Sequence, residues 1–289
     1  MYDIILYIFK RFSERNLSKM TTYICDSHIH TRFSTDSDSS VKETIEKAIE
    51  LGMKFIAITD HQDFGYPGED FKLIKNIDEY FEKLLYYKEE YKDKIYLAIG
   101  CEVGLEADKP DIIKEYVSSK PFDFIIGSSH LVNGIDIYYP DFYKDKTSDE
   151  AIKIYFESVL QNLDTCKDFD VYGHIDYIVR YCPGKTTCFT YEKFGKYLDE
   201  ILVRIIEAGK GIEINTGGYR NGLTEPNPCF DIIKKYKQLG GKILTFGSDA
   251  HEPAVIGYRF ADAALLAKEA GFTAYYIFKN RQAIELPLI

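Results

Sequence analysis

At 289 residues the chain is long for an average domain but within the range that α/β barrels fill around a single core. Lys and Arg number 36 against 46 Asp and Glu, a net charge of −10, and an acidic surface of this kind repels nucleic-acid backbones. Composition is otherwise that of a globular protein, and no stretch reaches the roughly 18 uninterrupted apolar residues of a spanning helix, so neither nucleic acid nor a membrane is an expected partner.

Residues 2–9 are apolar, but Asp3 interrupts them and Lys10 and Arg11 follow, the reverse of a secretory signal. Residues 1–19 are expected to form an extension, poorly ordered and without chemistry, ahead of a single domain over 20–289. Deleting residues 1–19 should leave turnover nearly unchanged; a loss greater than about tenfold, roughly 1.4 kcal/mol in barrier, would show that the segment packs on the site. From there β-rich runs ending in polar residues alternate with amphipathic segments. Strands are expected at 23–28, 55–60, 95–102, 123–130, 170–174, 211–216 and 242–249, with 272–278 a candidate eighth, terminal strand. Helices are expected at 41–51, 147–167, 191–208 and 229–239, with Gly52, Gly209 and Gly240 placed to end three of them. With no linker between units, they are expected to close into one α/β barrel, an open doubly wound sheet being the alternative.

The six cysteines (Cys25, Cys101, Cys166, Cys182, Cys188, Cys229) form no C-x-x-C pair, which suits reduced, packed thiols in a cytoplasmic protein and excludes a zinc finger.

All six histidines (His28, His30, His61, His130, His174, His251) fall at or just beyond the carboxyl ends of expected strands, the face where barrel active sites are built. Side chains two apart on a strand point the same way, so His28 with His30, and Asp249 with His251, can each present a ligand pair. Asp36, Asp60 and Glu102 add carboxylates, and imidazole with carboxylate suits zinc, manganese or iron. Asp60 is expected to turn away from the ligands, and Cys101 to pack on the opposite side of its strand from Glu102.

Six ordered motifs carry a resemblance: Asp26-Ser27-His28-Ile29-His30-Thr31, Thr59-Asp60-His61, Gly100-Cys101-Glu102, Gly127-Ser128-Ser129-His130, Gly173-His174-Ile175-Asp176 and Gly247-Ser248-Asp249-Ala250-His251. Together they resemble the polymerase and histidinol phosphatase (PHP) phosphoesterases, in particular the histidinol-phosphatase branch. The resemblance implies a distorted (β/α)7 barrel, TIM-like, holding three divalent metal ions. By it, His28, His30, Glu102 and Asp249 hold the first ion, Asp36, His61 and His251 the second, and Glu102 bridges to a third held with His130 and His174. The implied activity is metal-dependent hydrolysis of the phosphoric monoester L-histidinol phosphate, in histidine biosynthesis, with nucleotides or other small phosphate esters as the alternative. Arg180 and Arg220 resemble the branch's phosphate-binding arginines, and with Asp249 and His251 they are the candidate catalytic residues.

A phosphate monoester carries about two negative charges, so an attacking hydroxide needs cations that neutralise the phosphoryl oxygens and acidify water. Glu106, Asp63, Glu252, Phe33, Tyr66 and Tyr219 lie near the motifs as candidate contacts for an amino-alcohol leaving group, and Asn215 is left without a role. A metal-stabilised scaffold without catalysis is disfavoured by the complete ligand set, and an amidohydrolase by the lack of a strand-end lysine.

Overall fold

A computed structural model describes residues 25–66 and 76–288; the extension expected at 1–19 lies outside them. Seven parallel strands follow one another in chain order: β1 (Asp26–Ile29), β2 (Phe55–Ile58), β3 (Tyr96–Gly104), β4 (Phe124–Ser128), β5 (Val171–Tyr172), β6 (Gly211–Asn215) and β7 (Leu244–Gly247). They are buried on both faces, as the apolar runs of a helix-covered parallel sheet require. β7 returns to β1: the His30 amide donates to the Ala250 carbonyl and the Asp249 amide to the His28 carbonyl, each at 2.8 Å. The sheet is thus nearly closed into a (β/α)7 barrel.

Among the described residues, seven longer helices pack outside it: α1 (Val41–Glu50), α2 (Ile77–Glu90), α3 (Pro110–Ser118), α4 (Ser148–Thr165), α5 (Tyr191–Glu207), α6 (Phe230–Gln238) and α7 (Phe260–Glu269). Their ends follow local chemistry. The Ser40 hydroxyl accepts from the Glu43 amide at the start of α1, and Thr147 and Glu150 close a reciprocal capping box on α4. Gly52, Gly209 and Gly240 take φ of 79°, 69° and 95° just past three helices, where a side chain would be strained.

The segment expected as an eighth barrel strand does something else. β8 (Ala274–Lys279) pairs antiparallel with β9 (Gln282–Pro287) as a separate hairpin. Its turn sits at the amino-terminal ends of the barrel strands, where the Arg281 amide donates to the Asp123 carbonyl and Arg281 Nε bonds Asp170 at 2.6 Å. Phe278 stacks on Phe124, closing the end opposite the histidines. No described helix is long and apolar enough to cross a membrane, and the six cysteines are free, five of them buried.

Candidate metal centre

The carboxyl ends of the strands gather the polar residues of the motifs. His28 lies within β1 and His30 just beyond it, and their Nε2 atoms face each other at 3.0 Å. After β2 ends at Ile58 the chain resumes pairing at His61–Gln62, which sets His61 directly beside Glu102 of β3. His130 and His174 each follow a strand by two residues, and Asp249 and His251 follow β7. His174 and Asp249 take φ of 20° and 56°, unusual for side-chain-bearing residues and found where a turn must aim a functional group.

Glu102, fully buried, stands at the centre. Its Oε1 lies 2.8 Å from His174 Nε2 and 3.2 Å from His130 Nε2, and accepts from the Ser128 hydroxyl at 2.7 Å. Its Oε2 lies 2.9 Å from His61 Nδ1, 3.2 Å from His28 Nε2 and 3.5 Å from His30 Nε2. Glu102 Oε2 and His61 Nδ1 lie close together without hydrogen-bonding geometry, and a cation shared between them would satisfy both. Asp249 Oδ1 is 3.3 Å from His30 Nε2, and Asp36 Oδ2 is 3.0 Å from His251 and 3.5 Å from His61. Donor atoms of His28, His30 and Glu102, of Glu102, His130 and His174, and of His30, His61 and His251 each lie within 4.8 Å of one another. The arrangement suits several metal ions. A fourth such group, His61, Asp63 and His130, was not foreseen in the sequence.

Packing so many ionisable groups together drives their pKa values apart. Burial works to raise Glu102, but His28, His61 and His130 outweigh it and hold the carboxyl well below its usual range. Burial, with His61 and His251, pushes His30 well below the ordinary imidazole value, whereas Glu102 and Asp36 overcome burial at His61 and lift it to about 10. Protons are bound where positive charge is in demand, and divalent cations would replace them.

The imidazoles are aimed by their other nitrogens. His28 Nδ1 bonds Glu213 Oε1 at 2.6 Å, His130 Nδ1 bonds Asp63 Oδ1 at 2.9 Å, and His30 Nδ1 meets the Ser34 hydroxyl at 3.2 Å, which leaves each Nε2 to the cluster. Space for the first two carboxylates comes from glycine: a Cβ on Gly247 would stand 2.0 Å from Glu213 Oε1, and one on Gly104 would stand 1.9 Å from Asp63 Oδ1. Asp60 turns away, accepting from the Thr31 amide and from the hydroxyls of Thr31 and Ser34. Glu213 was missed in the sequence. Its Glu213→Gln variant should lower metal affinity or kcat/KM by about 10- to 100-fold, since an amide cannot match a charged acceptor for His28; unaltered metal titration and rate would remove it from this role.

Arg180 and Arg220 stand over the same cleft, a cavity of about 210 Å³ that Asp36, His61, His130, His174, Asp249 and His251 also line. Arg180 is buried and locked, bonding Asn227 Oδ1 at 2.8 Å, Asp249 Oδ2 at 2.9 Å and Asn215 Oδ1 at 2.7 Å, with Tyr177 beneath it. Asn215 thereby acquires a role. Arg220 is half-buried and grips the carbonyls of Ser248 and Asp249, each at 2.6 Å. Of the candidate leaving-group contacts, Asp63 and Tyr66 line a pocket beside this cleft. Glu106 instead binds the Gly65 amide and Lys109, Phe33 packs on Tyr80, Tyr219 lies under Arg259, and Glu252 is exposed.

Residues 26–217 match the PHP domain. The chain is 33% identical to the histidinol-phosphatase of Lactococcus lactis over 90% of its length and 98% of that protein. It is 34% identical to the "Probable histidinol-phosphatase" of Clostridium acetobutylicum, covering 89% of this chain and 98% of the relative. Its fold superposes on the crystal structure of the Lactococcus lactis histidinol phosphate phosphatase complexed with zinc, L-histidinol and phosphate, with a TM-score of 0.82, 32% identity, and 90% and 98% of the two chains covered.

Proposed function

Because the chain belongs to the PHP domain family, we propose that it is a metal-dependent phosphomonoesterase that hydrolyses L-histidinol phosphate to L-histidinol and phosphate. The observation that carries this reading is the ring of imidazoles around the buried Glu102, of which His61, His130 and His174 line one cleft together with Arg180 and Arg220. Supporting the substrate are the name of the Lactococcus relative and the ligands in its structure, zinc, L-histidinol and phosphate.

The residues that would hold cations are His28, His30, Glu102 and Asp249 at one position, Asp36, His61 and His251 at a second, and Glu102, His130 and His174 at a third. Cations there supply neutralisation of the phosphoryl oxygens and acidification of the attacking water. Arg220, and the guanidinium edge of Arg180 not used by its three acceptors, orient the phosphoryl group through charge-assisted hydrogen bonds. The departing alkoxide needs a proton, and Asp249 and His251, which line the cleft, are the groups assigned to relay it from water, since, despite burial, the Asp249 carboxylate is held ionised by His28 and Arg180 and has no proton of its own to give.

Phosphate release from L-histidinol phosphate, beside nucleoside monophosphates and sugar phosphates, tests the reading. Histidinol phosphate should lead the panel by kcat/KM, on protein carrying about three metal ions per chain, since nine protein ligands exceed the coordination of one or two. Faster turnover of a nucleotide, or full activity with a single ion, would overturn it.

A further inference from the structure

Resting on that reading of the cleft, we propose that Asp176 is a positioning residue for phosphate recognition: it fixes the side-chain amide of Asn227 in the one orientation that holds Arg180 in place. Asp176 is buried and does not line the metal cleft; it lines a separate hollow bounded also by Val179 and Cys229. It begins the single turn of 3-10 helix, Tyr177–Arg180, whose last residue is the arginine. Asn227, fully buried, links the two side chains. Its Nδ2 donates to Asp176 Oδ1 at 2.7 Å, and its Oδ1 accepts from Arg180 Nε at 2.8 Å. The second oxygen of Asp176, Oδ2, accepts from the Cys229 amide at 3.0 Å.

The orientation of a buried amide is decided by its neighbours, because its oxygen accepts and its nitrogen donates. A guanidinium only donates and a carboxylate only accepts, so the amide between them has one allowed orientation. Turned over, it would set its NH2 against Arg180 Nε and its oxygen against the carboxylate. Nor can it move aside. The Asn227 and Asn215 backbones exchange two hydrogen bonds, at 2.7 and 2.8 Å, and a Cβ on Gly218 would stand 2.7 Å from Asn227 Oδ1. Asn215 Oδ1 accepts from Arg180 Nη2 at 2.7 Å, so the arginine fork meets a fixed pair of amides. Asp176→Asn breaks this arrangement, since the new side chain has one oxygen for two facing donors, Asn227 Nδ2 and the Cys229 amide. The conflict is relieved when the Asn227 amide turns, which takes the acceptor away from Arg180 Nε.

The test is a double-mutant cycle on metal-reconstituted protein of matched ion content, read by calorimetric affinity for inorganic phosphate and by kcat/KM. Asp176→Asn should weaken phosphate binding about tenfold and lower kcat/KM about 30-fold, yet change each by less than about twofold in an Arg180→Ala background, where no Nε remains to misdirect. Exchanging the partners, Asp176→Asn with Asn227→Asp, gives every donor an acceptor again and should return both readouts to within about threefold of wild type. Equal penalties in the two backgrounds would make Asp176 merely structural and overturn the proposal, as would wild-type values for the single variant. Should Asp176→Asn fail to fold, the exchanged pair decides. Phosphate affinity near wild type then upholds the proposal, and affinity as weak as that of Arg180→Ala, or a second failure to fold, overturns it. Failure of the underlying substrate reading has a different signature: histidinol phosphate is not turned over, while the phosphate-binding cycle still gives its answer. Wild-type protein that binds no phosphate overturns both.

Discussion

Glu102→Ala is expected to be the most damaging single substitution in the protein, with kcat/KM falling about 10⁴-fold or more, roughly 5.5 kcal/mol in barrier. The two oxygens of Glu102 face two sets of partners: His174 and His130 on one side, His61, His28 and His30 on the other. Glu102 is fully buried, so alanine removes from the middle of five imidazoles the carboxylate that balances them and the group that would bridge two cations. Metal analysis should show more than one ion lost per chain. Glu102→Gln keeps the volume and one good acceptor and should fall between wild type and alanine. An alanine variant with near-normal metal content and rate would show that the carboxylate does not bridge.

The barrel was legible because its strands are short apolar runs that end in polar motif residues, a pattern a covered parallel sheet imposes. The terminal hairpin was not. Its turn places Asn280 and Arg281 both at positive φ, 49° and 63°, a conformation normally advertised by Asn-Gly, and the residues of β9 are mostly exposed and lack alternation. The strand at 272–278 therefore looked like one more barrel strand. It is instead the inner arm of a plug, fixed by Asp123 and Asp170, whose roles depend on where two strand ends meet in space.

The candidate ligands could be read by position alone, since strand ends converge in any such barrel. Their supports could not, with one exception. In Gly211-Ile212-Glu213-Ile214-Asn215 the isoleucines face the helices and Glu213 faces the barrel interior, a charge in mid-strand that only a buried partner would justify. Asp63 and Asn227 gave no such signal. Asp63 reaches His130 from a neighbouring strand end, and Asn227 reaches Arg180 because its backbone pairs with Asn215.

Arg180 and Arg220 should separate under mutation, because the same guanidinium chemistry is tied to the cluster in two ways. A guanidinium does not bind a cation, so from sequence both alanine variants are expected to keep their metals and lose phosphate recognition. For Arg220 that expectation stands: its cleft-side bonds go to main-chain carbonyls, which do not depend on it for position. Arg220→Ala should retain its ions and lose about 10²-fold in kcat/KM, on the order of 3 kcal/mol, as a contact strongest in the transition state is removed. Arg180 is different. It braces Asp249, a proposed ligand, and its removal leaves buried acceptors on Asp249, Asn215 and Asn227 unpaired. Arg180→Ala should therefore lose at least as much activity and, in addition, weaken metal retention on dialysis. Arg180→Lys should recover little, because one ammonium cannot reach three acceptors set around a planar fork. Metal content decides between them: two variants that fall in rate but hold their ions equally would show that Arg180 touches phosphate alone, and unchanged kinetics at either position would remove that arginine from the site.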